Sequence, residues 1–174
     1  MAIRIYLLGF MGAGKSYVGR DLASRLHLNF LDLDSLIENS EGKPIAAIFS
    51  TKGEPYFRKK EAEYLRQTVH LDRVVIATGG GTPCYFNNLA WMNENGLTLF
   101  LDTCEEVLRT RLMVSRKRPL VAGKSVAELT RFVHEKLEAR RPFYEGAQIG
   151  YETLSPEQNV VAELYSYFIH FVRD

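Results

Sequence analysis

Two cysteines in 174 residues, Cys84 and Cys104, are too few for a disulfide framework or a thiolate metal centre. They suit a reduced, intracellular setting, so a cytoplasmic location is expected. The four histidines, His27, His70, His134 and His170, have no metal-ligand spacing. No apolar run reaches the roughly 18 residues that a membrane-spanning helix needs. Repeats, low-complexity tracts and Pro/Ser-rich linkers are absent as well. Charge is balanced too: 22 Lys and Arg oppose 21 Asp and Glu, for a net +1, which argues against nucleic-acid binding through bulk charge.

What is present is an ordinary globular composition, with 46% apolar and 25% charged residues. At roughly 150 residues per domain, the length predicts a single domain over residues 1–174. The charge is nevertheless uneven. Residues 109–124 hold six basic side chains and no acid, while the remainder is net −5. Such a cationic segment on an acidic body suggests local handling of an anion. Arg4 ahead of an apolar stretch imitates a short signal peptide. That reading is rejected, because cleavage there would destroy the motif that begins at Gly9.

Short apolar runs alternate with longer helical patterns. Strands are predicted at 3–8, 30–33, 73–78, 97–101 and, more weakly, 148–153. Helices are predicted after Gly14, from a Ser35/Glu38 capping box, over 45–49 and 54–69, over 105–114 and 126–141, and from Ser155-Pro156-Glu157-Gln158 onward. Unbroken apolar strands between helices imply a parallel sheet covered on both faces, with ligands beyond the carboxyl ends of its strands. The expected fold is therefore an α/β P-loop three-layer sandwich: a five-stranded parallel sheet with helices on both faces.

Gly9-Phe-Met-Gly12-Ala13-Gly14-Lys15-Ser16 completes the pattern Gly-x4-Gly-Lys-Ser between a strand and a helix. Glycines let the loop curl until its N–H groups point at phosphate oxygens, and the helix that follows adds its positive end. Lys15 can then bridge the outer phosphates while the Ser16 hydroxyl holds Mg²⁺. Nucleotide binding follows from this, but the acceptor does not. A guanine-reading Asn-Lys-x-Asp motif is missing, which turns the reading from a switch GTPase toward a kinase.

Further candidates lie at other strand ends. Asp32 and Asp34 flank Leu33; strand alternation would send both side chains the same way, one toward hydrated Mg²⁺ and one toward a substrate hydroxyl. Asp34 starting the next helix is the competing reading. Gly79-Gly80-Gly81 offers bare backbone to a closely approaching substrate. Arg58, in Gly53-Glu54-Pro-Tyr-Phe-Arg58, can be an anion clamp or a surface arginine paired with Glu54 or Glu61. Arg140, in Arg140-Arg141-Pro142-Phe143-Tyr144, can likewise be a clamp or a cation that suits a helix end.

In order and spacing, these motifs together with Arg118-Pro119-Leu120 resemble the shikimate kinases, within the nucleoside-monophosphate-kinase-like group. The likeness runs from Ile5 to about Pro156. It implies transfer of the γ-phosphate of ATP to the 3-hydroxyl of shikimate, in aromatic amino-acid biosynthesis, with Mg²⁺ as cofactor. By that resemblance Asp34 holds substrate hydroxyls, Arg58 and Arg140 hold the carboxylate, and Gly79, Gly80 and Gly81 complete the acceptor site. ATP would meet Gly12, Ala13, Gly14, Lys15, Ser16, Tyr17, Arg111 and Arg118, with Arg111 stacked on adenine and Arg118 reaching the phosphates from a lid. Catalytic roles fall to Lys15, Asp34 and Arg118, and the metal to Ser16 and Asp32. Tyr17 and Phe143 depart from the family's usual small hydroxyl residue and leucine.

Chemistry supports the same assignment. Two guanidiniums suit a planar carboxylate, whereas a neutral sugar would leave them unpaired. Phosphoryl transfer asks mainly for positioning and charge neutralisation, and a loose transition state asks little of a base, so Asp34 is expected to orient the hydroxyl, whose proton leaves late. Acceptor-binding helices are placed at about 34–61 and a closing lid at about 114–125. ATP and shikimate are the expected partners, without nucleic acid or membrane. A monomer is expected, with the apolar stretch 165–171 as a candidate for weak self-association. A gluconate- or nucleotide-kinase-like enzyme, a silent ATP-binding module and a nucleic-acid-linked ATPase are the alternatives.

Overall fold

The computed structural model describes residues 2–114 and 123–173. Five strands, β1 (Arg4–Leu8), β2 (Asn29–Asp32), β3 (Val74–Ala77), β4 (Leu97–Thr103) and β5 (Ile149–Thr153), form one sheet. Their order is β2-β3-β1-β4-β5 and every pairing is parallel. The apolar runs form these strands because both faces are covered. Four residues of β1 and all of β3 are buried, so neither strand alternates with solvent.

Among the described residues seven α-helices accompany the strands: α1 (Lys15–Arg25), α2 (Leu33–Glu41), α3 (Ile45–Gln67), α4 (Asn88–Asn95), α5 (Glu105–Val114), α6 (Val126–Tyr144) and, after the last strand, α7 (Val160–Arg173). On one face α1 lies against β2 and β3 beside α7, whose Val161, Leu164 and Phe168 are buried. On the other face Tyr6 meets Trp91 of α4 edge-on, with ring centroids 6.1 Å apart, and Phe100 stacks on Tyr144 of α6 at 5.1 Å. The three-layer sandwich expected from the sequence is the observed fold.

Several boundaries differ from the sequence reading, each for a local reason. No Ser35/Glu38 capping box forms. Asp32 itself caps α2, its Oδ1 accepting from the Ser35 N–H at 3.2 Å, while Glu38 reaches forward to the Ile45 N–H at 2.8 Å. The last helix begins at Val160 instead of at Pro156. Gln158 turns back, accepting from the Leu154 N–H at 3.0 Å, and Asn159 accepts from the Ala162 N–H at 3.2 Å. The two helical patterns at 45–49 and 54–69 join into α3 across a kink at Gly53, whose φ of 79° is open mainly to glycine. Finally, α6 runs past Pro142, because in a last turn proline removes only one N–H.

Close contact of α1 with the sheet depends on Gly19. A Cβ there would stand 2.8 Å from Phe30 Cε2 and 2.9 Å from Leu7 Cδ1. Alanine in a helix gains about 1 kcal/mol over glycine, but overpacking costs about 1–3 kcal/mol. At about 2–4 °C per kcal/mol, Gly19→Ala is expected to lower Tm by up to about 8 °C in a thermal melt and not to raise it. A raised Tm contradicts this packing.

Candidate active site

All five strands end on the same edge of the sheet, and the candidate residues follow those ends. The phosphate loop leaves β1 through Gly9, Gly12 and Gly14, with φ of 145°, 88° and 94°. Gly12 and Gly14 are left-handed, a state that a side chain would strain. Gly14 caps α1, and Lys15 begins the helix with its side chain buried. Its Nζ donates to the carbonyls of Gly9 at 2.7 Å and Phe10 at 3.0 Å. The ammonium is thus held across the mouth of its own loop.

One step along the edge, Ser16 Oγ donates to Asp32 Oδ2 at 2.5 Å. Asp34 lies in the first turn of α2, not on β2, so strand alternation is not what brings it here. The turn of the helix does so instead, and the Asp34 carboxylate lies 3.0 Å from where a Gly79 Cβ would stand. Burial pushes the Asp34 carboxyl up to about 6, with Glu61 and Asp32 pushing the same way and Lys15 opposing. It therefore titrates just below neutral pH.

Arg58 forms both pairs foreseen for a surface arginine, with Glu54 at 3.1 Å and Glu61 at 2.8 Å, yet it is 7% exposed. Its guanidinium is bounded by the rings of Tyr85, Phe57 and Phe49, at 4.6, 5.1 and 5.9 Å. Glu61 has no exposure at all; it accepts from Arg58 Nη1 with one oxygen and from Thr82 Oγ1, at 2.6 Å, with the other. Sequence reasoning treated Glu61 only as a pairing partner. Its spacing of three residues from Arg58 was visible, but its bond to Thr82 was not.

The glycine loop completes the enclosure. A Cβ on Gly81 would stand 2.6 Å from Arg58 Nη2, and one on Gly80 would stand 3.3 Å from Arg140 Nη1 and 3.4 Å from the backbone N of Met11. Two guanidiniums from different helices therefore meet adjacent residues of one loop, and that loop touches the phosphate loop. Cys84 is half-buried beside them; burial raises its thiol while Arg140 and Arg58 draw it down. Tyr144, unremarked in the sequence beyond its motif, donates to the Gly80 carbonyl at 2.5 Å.

On the far side of the phosphate loop lies a cleft of about 600 Å³, lined by Ala13, Gly14, Tyr17, Arg111 and residues 156–159 among others. Arg111 Nη1 donates to the carbonyls of Gly12 at 3.2 Å and Ala13 at 3.3 Å, and Tyr17 is 74% exposed. Arg118 and most of the expected lid lie outside the described residues. Among the described residues no helix is long and apolar enough to cross a membrane.

A phosphate loop on a parallel sheet, with two guanidiniums against the glycine loop beside it, is the arrangement of an ATP-dependent small-molecule kinase of the P-loop class. The chain belongs to the shikimate kinase family, whose match covers residues 11–170. It is 45% identical over 150 residues to the shikimate kinase of Bacteroides fragilis, covering 86% of this chain and 84% of that one. The crystal structure of the Bacteroides thetaiotaomicron shikimate kinase superposes with a TM-score of 0.92 at 35% identity, each chain being fully covered. That of the Acinetobacter baumannii enzyme in complex with shikimate gives 0.83 at 33% identity, covering 99% of this chain and 94% of that one.

The raised Asp34 carboxyl has a consequence for stability. Its folded-state pKa of about 6 exceeds the ordinary 3.8, so the stability linked to its neutral form is present below pH 3.8 and lost as pH rises through 6. Asparagine stays neutral throughout. Asp34→Asn is therefore expected to be more stable than the parent at pH 7.5, by about 1–3 kcal/mol, and nearly equal to it below pH 4. Urea melts at the two pH values check this; a variant less stable at pH 7.5 contradicts it.

Proposed function

We propose that the chain transfers the γ-phosphate of ATP to the 3-hydroxyl of shikimate, giving shikimate 3-phosphate, with the residue roles that follow. The observation that carries this reading is the meeting of Arg58 and Arg140 at Gly81 and Gly80, next to the phosphate loop. Each guanidinium offers paired N–H donors to a carboxylate, and together they select a compact acid. A neutral polyol in the same place would gain little from the guanidinium donors that the Glu54 and Glu61 pairs of Arg58 leave over.

Backbone N–H groups of Gly12 and Gly14 would donate to phosphate oxygens, that of Ala13 being bonded to the Phe10 carbonyl at 3.1 Å, and Lys15 would turn from its loop carbonyls toward the outer phosphates. The cleft beside Tyr17 and Arg111 has the volume for a nucleoside, being within the usual range of about 300–1,000 Å³ for small-molecule sites. Ser16 and Asp32 present a hydroxyl and a carboxylate oxygen together, the donor type that Mg²⁺ takes while keeping several waters. Bound there with ATP, Mg²⁺ would neutralise charge on the phosphates.

Fixing the acid between the two arginines directs one ring hydroxyl toward the phosphate loop. Asp34 is ionised at neutral pH, so it can accept from that hydroxyl, orient it and take its proton late in transfer. Gly79, Gly80 and Gly81 let the ring approach without a side chain intervening. By the family resemblance, Arg118 and the lid assigned to about 114–125 would cover the phosphates and exclude water, the competing nucleophile.

ADP release measured with shikimate, gluconate and a nucleoside monophosphate tests the reading. Shikimate alone is expected to be phosphorylated; turnover of gluconate or the nucleotide without turnover of shikimate contradicts it. Arg58→Ala is expected to raise KM for shikimate by about 10- to 100-fold, as loss of a charged hydrogen bond implies, with KM for ATP little changed. An unchanged KM for shikimate removes Arg58 from the clamp.

A further inference from the structure

The peptide between Gly80 and Gly81 has a glycine on each side. Gly81 has φ −98° and ψ −10°. Flipping the peptide would send that φ into the left-handed region, which glycine alone enters without penalty. Sterics of the loop residues themselves therefore do not fix which way this peptide faces.

One side chain does. Tyr144 Oη donates to the Gly80 carbonyl at 2.5 Å, and Tyr144 has no solvent exposure. Its ring is stacked on Phe100 with centroids 5.1 Å apart, but full burial in the core, rather than that one contact, fixes where the hydroxyl is delivered. A trans peptide points its C=O and N–H in opposite directions. Holding the Gly80 carbonyl against Tyr144 thus turns the Gly81 N–H away from Tyr144, in a residue whose Cβ position lies 2.6 Å from Arg58 Nη2. Neither the Gly80 nor the Gly81 N–H donates to another described residue, although the Thr82 and Cys84 N–H groups beside them do, at 3.1 and 3.0 Å.

Tyr144 also stands one helical turn after Arg140 on α6, so the two share a face. Burial raises the Tyr144 hydroxyl well above its ordinary range, with Arg140 opposing, which keeps it a donor at every working pH. Arg140 in turn borders Gly80. The acceptor arginine and the loop it borders are consequently located by the same last turn of one helix.

We infer that Tyr144 is a positioning residue for the acceptor: its hydroxyl locks the Gly80–Gly81 peptide so that the unpaired Gly81 N–H faces the acid held by Arg58 and Arg140. This rests on the shikimate reading above. It adds a residue that does not touch the acceptor and acts through the backbone.

Tyr144→Phe keeps the ring and its stacking on Phe100 but removes the hydroxyl. Phe100→Leu is the second variant; it removes the stacking partner and keeps the hydroxyl. Initial rates with varied shikimate and varied ATP, together with Tm, are measured for both. Tyr144→Phe is expected to raise KM for shikimate about tenfold, the weight of one hydrogen bond in a buried site, and to leave KM for ATP within twofold. Phe100→Leu is expected to lower Tm while changing KM for shikimate less than twofold. An unchanged KM for shikimate in Tyr144→Phe overturns the inference. So does an equal rise in both KM values, or a rise in Phe100→Leu that matches its loss of Tm, since a merely structural tyrosine predicts those. If the parent enzyme turns over ATP but not shikimate, the acceptor reading falls first and this inference with it.

Discussion

A carboxylate with no contact with water organises the acceptor side of this molecule. Glu61 accepts from Arg58 with one oxygen and from Thr82 with the other, tying α3 to the loop after β3. A buried ion pair adds little net stability of its own, but removing one partner strands the other at a cost of about 3–5 kcal/mol. The pair is therefore better understood as a positioning device than as glue. It also explains Gly79, since a Cβ there would lie 2.7 Å from Glu61 Oε1.

From that point the site is a chain of backbone contacts between loops that the parallel sheet brings to one edge. Gly80 borders both Arg140 and the start of the phosphate loop, so the proposed acceptor and phosphate subsites would adjoin at that residue. The phosphate loop is supported from behind by Arg111, whose guanidinium bonds the carbonyls of Gly12 and Ala13. Ser16 and Asp32 join the loop to α2. Reaction partners held on these elements would approach without any large movement of the sheet. Lys15, bonded to the carbonyls of Gly9 and Phe10, is the side chain that would have to turn.

Much of this was legible in the residues themselves. Unbroken apolar strands announced a sheet covered on both faces, and the glycine-lysine-serine loop announced a phosphate site at the end of β1. What periodicity could not show were contacts between distant segments. The cap of α2 is Asp32 rather than Ser35 because Glu38 is used at Ile45, seven residues on. The start of α7 slipped by a turn because Gln158 bonds back to Leu154 and so cannot close a capping box. Pro142 suggested an end to α6, although the helix carries on to the tyrosine that grips Gly80. Arg58 illustrates the limit best: both of its ion pairs follow from helical spacing, but its burial depends on rings from residues 49, 57 and 85.

In the proposed function, Arg58 and Arg140 together recognise a single negative charge on the acceptor. Shikimate methyl ester has the same ring and hydroxyls but no charge, so its kcat/KM set beside that of shikimate reads the charge alone. With the carboxylate masked, a loss of at least about a hundredfold is expected, as when charged donors lose their partner. Equal turnover of acid and ester would refute recognition by the two arginines.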